Sequence, residues 1–172
     1  MENIEIIKAT IDDLKNLQQI SRDTFAKTFS SDYNDDNMNK YMEKSFSAEK
    51  LSTELRNEDS EFYFAVLEGK VIGYLKLNSG QSQTEMKDDK ALEIERIYVL
   101  QEYHGKKVGQ LLYAKAIDTA VELSADYVWL GVWEENPRAI SFYKKNGFVE
   151  FDKHSFMFGD DEQTDIMMKK ML

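Results

Sequence analysis

A chain of 172 residues with a formal net charge of −10, no cysteine and 42% apolar residues is long enough to bury the core of one domain. It is too acidic to hold nucleic acid or anionic lipid by non-specific attraction, which rewards Lys and Arg. The missing thiols exclude a disulfide framework and a thiolate metal site, and with no basic region followed by an apolar run at the start, a soluble, cytoplasmic single domain spanning residues 1–172 is expected.

Ile4 to Ala9 reads as a strand, and Thr10 with Asp12 and Asp13 as a helix start. Ile11, Leu14, Leu17, Ser21, Phe25 and Phe29 then recur near the helical period and predict a face that lies on a sheet. Ser30 to Asp36 is a polar turn cluster. Met38, Tyr41, Met42 and Phe46 mark a second helix, and Leu51 and Leu55 a third beginning near Ser47. Phe62–Leu67 and Val71–Leu77 form a hairpin about Glu68-Gly69-Lys70. Asn78 to Lys90, polar and Gly-containing, is expected as an exposed loop at the sheet tip.

From Leu92 the pattern alternates apolar with charged residues to Leu100, the mark of a half-buried strand, and ends in the basic loop HGKKVG. Val108 to Ser124 predicts a helix whose polar stripe is only Lys115, Asp118, Thr119 and Glu122, implying burial against the sheet and a neighbour. Tyr127 to Trp133 is a central strand. Asn136-Pro137 caps a helix that runs to Lys145 and ends at Asn146-Gly147. Phe148–Phe151 and Thr164–Met171 close the chain around Gly159-Asp160-Asp161-Glu162. This order predicts an α/β mixed sheet with helices on both faces and a ligand at the C-terminal end of the 92–100 strand.

A strand that stops at a Gly turn and feeds a helix aims unpaired N–H groups and the positive end of the helix dipole at one point. Lys106 and Lys107 add full charge there. The site suits a phosphate; a merely solvated basic loop is the alternative. His104 and His154 are the only histidines and have no ligand-like spacing, so no metal is expected.

Residues 92–148 resemble the core of the GNAT (Gcn5-related) N-acetyltransferases. The likeness rests on LEIERIYV, the loop HGKKVG, and above all Asn136-Pro137-Arg138-Ala139-Ile140-Ser141-Phe142-Tyr143-Lys144-Lys145-Asn146-Gly147-Phe148 about thirty residues downstream. The loop departs from the family pattern at His104 and Lys107 and keeps Gly109. The resemblance implies a mostly antiparallel seven-stranded mixed sheet, splayed where acetyl-CoA binds as cosubstrate. It implies that the backbone of Ile97, Tyr98 and Val99 pairs with the pantetheine arm, and that His104, Gly105, Lys106, Lys107, Val108, Gly109 and Gln110 receive the pyrophosphate. Lys107 would be tolerated there with φ below zero. Asn136 would lie by the pantetheine or thioester besides capping its helix. Tyr143, otherwise a packed aromatic, would be the general acid that reprotonates the CoA thiolate.

Attack requires a neutral amine and hence a base near the thioester. Glu93 and Glu95 share one strand face, and either could serve as that base or be an ordinary exposed strand residue, Glu95 being the favoured candidate for the base. The segments flanking the core make the chain similar to PaiA-type spermidine/spermine acetyltransferases, including the run Gly159-Asp160-Asp161-Glu162-Gln163-Thr164-Asp165. A polyamine would be drawn to an acidic rim of Asp32, Asp35, Asp36 and Glu43. Acetylation of a peptide or protein N-terminus, and a CoA-binding module without turnover, are the other readings. The sequence leaves monomer or homodimer open.

Overall fold

A computed structural model describes residues 3–29 and 35–172. Strand β1 (Ile4–Lys8) leads through Thr10, whose N–H donates to Asp13 Oδ2 at 2.8 Å, into a 3-10 turn and helix α1 (Leu14–Phe29). An extended Thr followed three residues later by an acid satisfies donors the helix start would leave orphaned. Helix α2 (Asp35–Ser45) and helix α3 (Ala48–Arg56) follow, Ser47 capping the latter by accepting the Lys50 N–H at 3.2 Å. Strands β2 (Ser60–Leu67) and β3 (Lys70–Asn78) form the expected hairpin, with Glu68 and Gly69 at φ 49° and 78°. That left-handed pair matches the twist of the strands it joins. Strand β4 (Ala91–Val99), helix α4 (Val108–Glu122), strand β5 (Tyr127–Trp133), helix α5 (Pro137–Lys145), and strands β6 (Val149–Phe158) and β7 (Asp161–Met171) complete the order. Among the described residues no helix is long and apolar enough to cross a membrane.

The seven strands lie in the order β1-β2-β3-β4-β5-β7-β6. Only β4 and β5 run parallel, and their ladder holds three pairs, the last being Glu93 with Trp129. Beyond that pair the strands part, which is the splay expected for the fold. The two helical layers hold the parted halves together. On one face Leu112 and Ala116 of α4 pack with Leu75, Leu92 and Leu130. On the other, Phe25 of α1, Phe46 just after α2 and Leu51 of α3 pack with Phe62, Phe64 and Tyr74. Each fully buried Leu or Phe contributes about 1.5–3 kcal/mol relative to exposure.

Several expectations are corrected. Leu111, Val121 and Leu123 are exposed, Val121 to 63%, so the narrow polar stripe of α4 does not reflect burial on two sides. Thr119, assigned to that stripe, is buried and satisfies its hydroxyl on the Lys115 carbonyl at 2.8 Å. The 78–90 loop is exposed only in part. Gln83 is buried, donates to the Gly80 and Asp88 carbonyls, and accepts the Trp129 indole N–H at 2.7 Å. Strands β6 and β7 are far longer than expected, because most of β6 is solvent-exposed and held by pairing to β7 rather than by an apolar face. At their turn Gly159 has φ 65°, and a Cβ there would fall on the Asn37 amide, which donates to Asp160 Oδ1 at 3.2 Å. The close approach of α2 to the hairpin tip therefore needs glycine.

Candidate active site

The site is built from the edge β4 turns toward the splay. Leu100 N–H donates to the Ile72 carbonyl on β3, so by alternation the N–H and C=O of Val99 and Ile97 point the other way, into the gap. The Val99 carbonyl already has a partner, His104 Nε2 at 2.8 Å. The other ring nitrogen, Nδ1, faces a guanidinium nitrogen of Arg138 from the first turn of α5. A guanidinium only donates, so Nδ1 accepts and Nε2 carries the proton given to Val99.

The loop that follows has Gly105 at φ 82° and Lys107 at φ 65°. Lys107 is thus left-handed, contrary to the expectation of a negative φ. The turn into α4 dictates the backbone shape, and the lysine adopts it at a strain of roughly 1–2 kcal/mol. Lys107→Gly is expected to raise the thermal midpoint by about 2–4 °C, as a gain of ~1 kcal/mol would. A lowered midpoint in a melting experiment would show instead that the lysine side chain compensates its strain. Val108, Gly109 and Gln110 present first-turn N–H groups that have no acceptor within the helix. The Gln110 side chain turns aside and donates to Asn146 Oδ1 at 3.0 Å.

Across the splay Asn136 Oδ1 caps α5 by accepting the Ala139 N–H at 3.3 Å. Tyr143, on the same helix, is buried with its ring against Phe142 and Phe148, yet it borders the cleft. Burial pushes its phenol well above the usual tyrosine value, so it stays protonated.

On the α1 side of β4 lies a buried ionic network. Glu95 accepts from Lys76 Nζ at 2.9 Å and Asn78 Nδ2 at 2.8 Å, and its other oxygen is 3.2 Å from Arg96 NH2. Lys76, 5% exposed, also meets Glu54 at 3.1 Å. Burial alone would raise the Glu95 carboxyl, but Arg96 and then Lys76 bring it down to about 2. A carboxylate that weakly basic is a poor proton acceptor, which weighs against Glu95 as the general base. Glu93 is raised by burial, while Asn78 and Thr84 donate to it and offset part of that shift.

These groups share one cleft of about 1970 Å³ that runs from the loop and α5 through the splay to α1. Asp23, Glu85, Glu93 and Asp165 add acid to its walls. Of the expected acidic rim, only Asp36 and Glu43 have described side chains; both are exposed, and neither is among the described lining. Asp32 lies outside the described residues, and of Asp35 only the backbone, opening α2, is described.

A family model for the acetyltransferase (GNAT) family matches residues 15–148. The chain belongs to the GNAT acetyltransferases. An uncharacterized N-acetyltransferase of Lactobacillus delbrueckii subsp. lactis is 40% identical over 172 residues, 100% of this chain and 99% of the relative. Spermidine N(1)-acetyltransferase of Thermoplasma acidophilum is 28% identical over 173 residues, 98% of this chain and 97% of its own. The crystal structure of PaiA N-acetyltransferase from Thermoplasma acidophilum in complex with coenzyme A superposes with a TM-score of 0.82 at 28% identity, covering 99% of both chains. A GCN5-related N-acetyltransferase from Rhodopseudomonas palustris, at a TM-score of 0.78 and 17% identity, shares the fold.

As a GNAT enzyme the protein is an N-acetyltransferase that uses acetyl-CoA. The chain suits that cosubstrate. A β edge turned into the splay matches an amide-bearing arm, and first-turn N–H groups beside Lys106, Lys107 and Arg138 match phosphates. Among the described residues no group of three or more His, Asp or Glu could hold a metal ion. Sequence reasoning missed Lys76, Asn78, Arg138 and Asp165. Lys76 carried a signal, a lone charge in the apolar run VIGYLKLN; the others depend on which strands become neighbours.

Proposed function

We propose that the protein acetylates a primary amine of a polyamine, spermidine or spermine, by direct attack of the neutral amine on the acetyl group. The observation that carries this reading is the acid set into the inner cleft wall, with Asp23 on α1, Glu93 on β4 and Asp165 on β7. A flexible polycation gains from several spaced carboxylates at once, whereas a monoamine meets only one. The full-length likeness to a spermidine N(1)-acetyltransferase supports it.

Acetyl-CoA, when bound, supplies a thioester carbonyl and a thiolate leaving group. Because His104 holds the Val99 carbonyl, pairing with the pantetheine arm falls to the Val99 N–H and both groups of Ile97, with Tyr98 between them facing β3. Gly105 gives the loop its turn, and the N–H groups of Val108, Gly109 and Gln110 with Lys106 and Lys107 face the pyrophosphate. Asn136, at the mouth of α5, fixes the helix that carries Tyr143. Tyr143 donates the proton that the departing sulfur needs. Glu95 acts by position: it holds Lys76 and Asn78, and Asn78 in turn holds Glu93 at 3.0 Å.

Thiol release from acetyl-CoA, measured with spermidine, spermine, butylamine and a basic peptide, tests the acceptor. Spermidine is expected to exceed butylamine in kcat/KM by about ten-fold or more, with the advantage shrinking as salt screens the carboxylates. A peptide preferred over every polyamine would favour N-terminal acetylation instead. Acetyl-CoA binding without turnover would favour a regulatory module.

A further inference from the structure

Asp165 ends the run Gly159-Asp160-Asp161-Glu162-Gln163-Thr164-Asp165, and beyond its charge in the cleft wall the proposed acceptor chemistry assigns it no step. In the fold that run is the β6–β7 turn and the first part of β7, fastened to the end of β5. Gln163 Oε1 accepts the Trp133 indole N–H at 3.1 Å, and the Thr164 carbonyl accepts the Glu134 N–H at 3.1 Å. Asp165 therefore sits opposite Trp133. Its neighbour on β5, Gly131, has no side chain, and Asp165 Oδ2 lies 3.4 Å from where a Cβ would stand. The carboxylate leans over β5 into the cleft, next to the point where β5 leaves β4.

Among the carboxylates of this wall Asp165 differs in its bonding. Glu93 is held by Asn78 and Thr84, and Glu95 by Lys76, Asn78 and Arg96. Among the described residues no donor hydrogen-bonds Asp165, so its lone pairs face the cleft. The charged group that acts on it is His154, cross-strand on β6 and 3.0 Å from Glu85; Glu93 and Glu95 on β4 and Asp23 and Lys27 on α1 line the same cleft. Burial raises the Asp165 carboxyl to about 6, with His154 opposing the shift. The Glu95 value of about 2 makes that group about four orders of magnitude less basic.

We propose that Asp165 is the base that takes a proton from the acceptor ammonium. One N–H bond of the ammonium breaks and its proton passes to an Asp165 oxygen. The freed lone pair forms the C–N bond to the acetyl carbon as the C–S bond breaks. The sulfur leaves with the electron pair and is protonated through Tyr143, which recovers a proton from the acylated nitrogen. Asp165 then releases its proton to solvent. The inference rests on an amine acceptor, not on that amine being a polyamine.

The test compares wild type with Asp165→Asn, using spermidine and butylamine as acceptors across pH. The expected result is a fall in kcat of about 10²- to 10³-fold at pH 7 that shrinks at high pH, where the amine is already neutral, with KM for acetyl-CoA unchanged. A second readout uses the unliganded protein. A folded-state value of about 6 against an ordinary 3.8 means the native state binds the proton more tightly, so wild type loses stability as pH rises through that window. Asp165→Asn is expected to melt roughly 6–12 °C higher at pH 7.5 and to converge with wild type near pH 4. An unchanged kcat, a change confined to the acceptor KM, or a melting gap independent of pH overturns the assignment. Butylamine acetylated as well as spermidine, with the Asp165 effect intact, would overturn the polyamine reading alone. No thiol release by wild type with any amine would overturn both.

Discussion

Tyr143→Phe is expected to lower kcat about 10²-fold or more while leaving acetyl-CoA binding and the melting midpoint nearly unchanged. The substitution deletes one oxygen and keeps the ring, whose contacts with Phe142 and Phe148, at 5.5 and 5.7 Å between centroids, provide its packing. Packing therefore cannot account for a large loss of rate. Burial raises the phenol above its ordinary value of 10.0, so the proton stays on Tyr143 across the pH range in which a primary amine becomes neutral. A thiolate is a fair leaving group, its conjugate acid having a pKa of about 8.5, which places the expected loss toward the lower end of general-acid effects. The nitrogen sheds a proton as it is acylated, and that proton restores the phenol. Steady-state kinetics decide the matter: a kcat within about three-fold of wild type would mean that water protonates the sulfur.

Lys76→Met is expected to cost about 3–5 kcal/mol and to lower the melting midpoint by roughly 10 °C. Lys76 stands between Glu54 at 3.1 Å and Glu95 at 2.9 Å, and only 5% of its side chain is exposed. Removing it leaves two acids crowded around Arg96 without their shared counter-charge. The effect carries a pH signature. Glu95 is held at about 2 against an ordinary 4.5 by Arg96 and Lys76, so in wild type its stabilisation is present above pH 4.5 and fades as pH falls toward 2. Without Lys76 the carboxyl rises and protonates sooner, so the gap between variant and wild type should narrow on acidification. Lys76→Met combined with Glu95→Gln should recover part of the loss, because the two side chains are one coupled unit. A single variant as stable as wild type would mean that Arg96 alone suffices.

Much of this was legible in the residues because it is local. Caps, turns and periodicity placed the helices, the β2–β3 hairpin and the anion loop, since Thr10, Ser47, Gly69 and Asn136 act within a few residues of themselves. The ionic network and Asp165 were not legible, and the reason is topological. β7 inserts between β5 and β6, so the last acid of a run that looks like any solvated turn is carried to the wall of the splay. The described part of the acidic segment around residue 36 shows another limit. It is rich in charge, but Asp36 and Glu43 lie on the exposed face of α2, and composition does not say which way a helix turns. Sequence alternation places Glu95 only on one face of β4 with Glu93, and its basicity is set by Arg96 beside it and by Lys76, a residue 19 positions away. Lys107 shows a third kind of limit: a residue type that disfavours left-handed backbone adopts it because the turn between strand and helix requires it.

Direct transfer from cosubstrate to amine is tested most directly by one turnover with isotopically labelled acetyl-CoA and spermidine, followed by mass analysis of both small molecule and protein. The expected result is label in monoacetylated spermidine at the rate of thiol release, with none on the protein. Label retained on the protein, or thiol released without an acetylated amine, would contradict it.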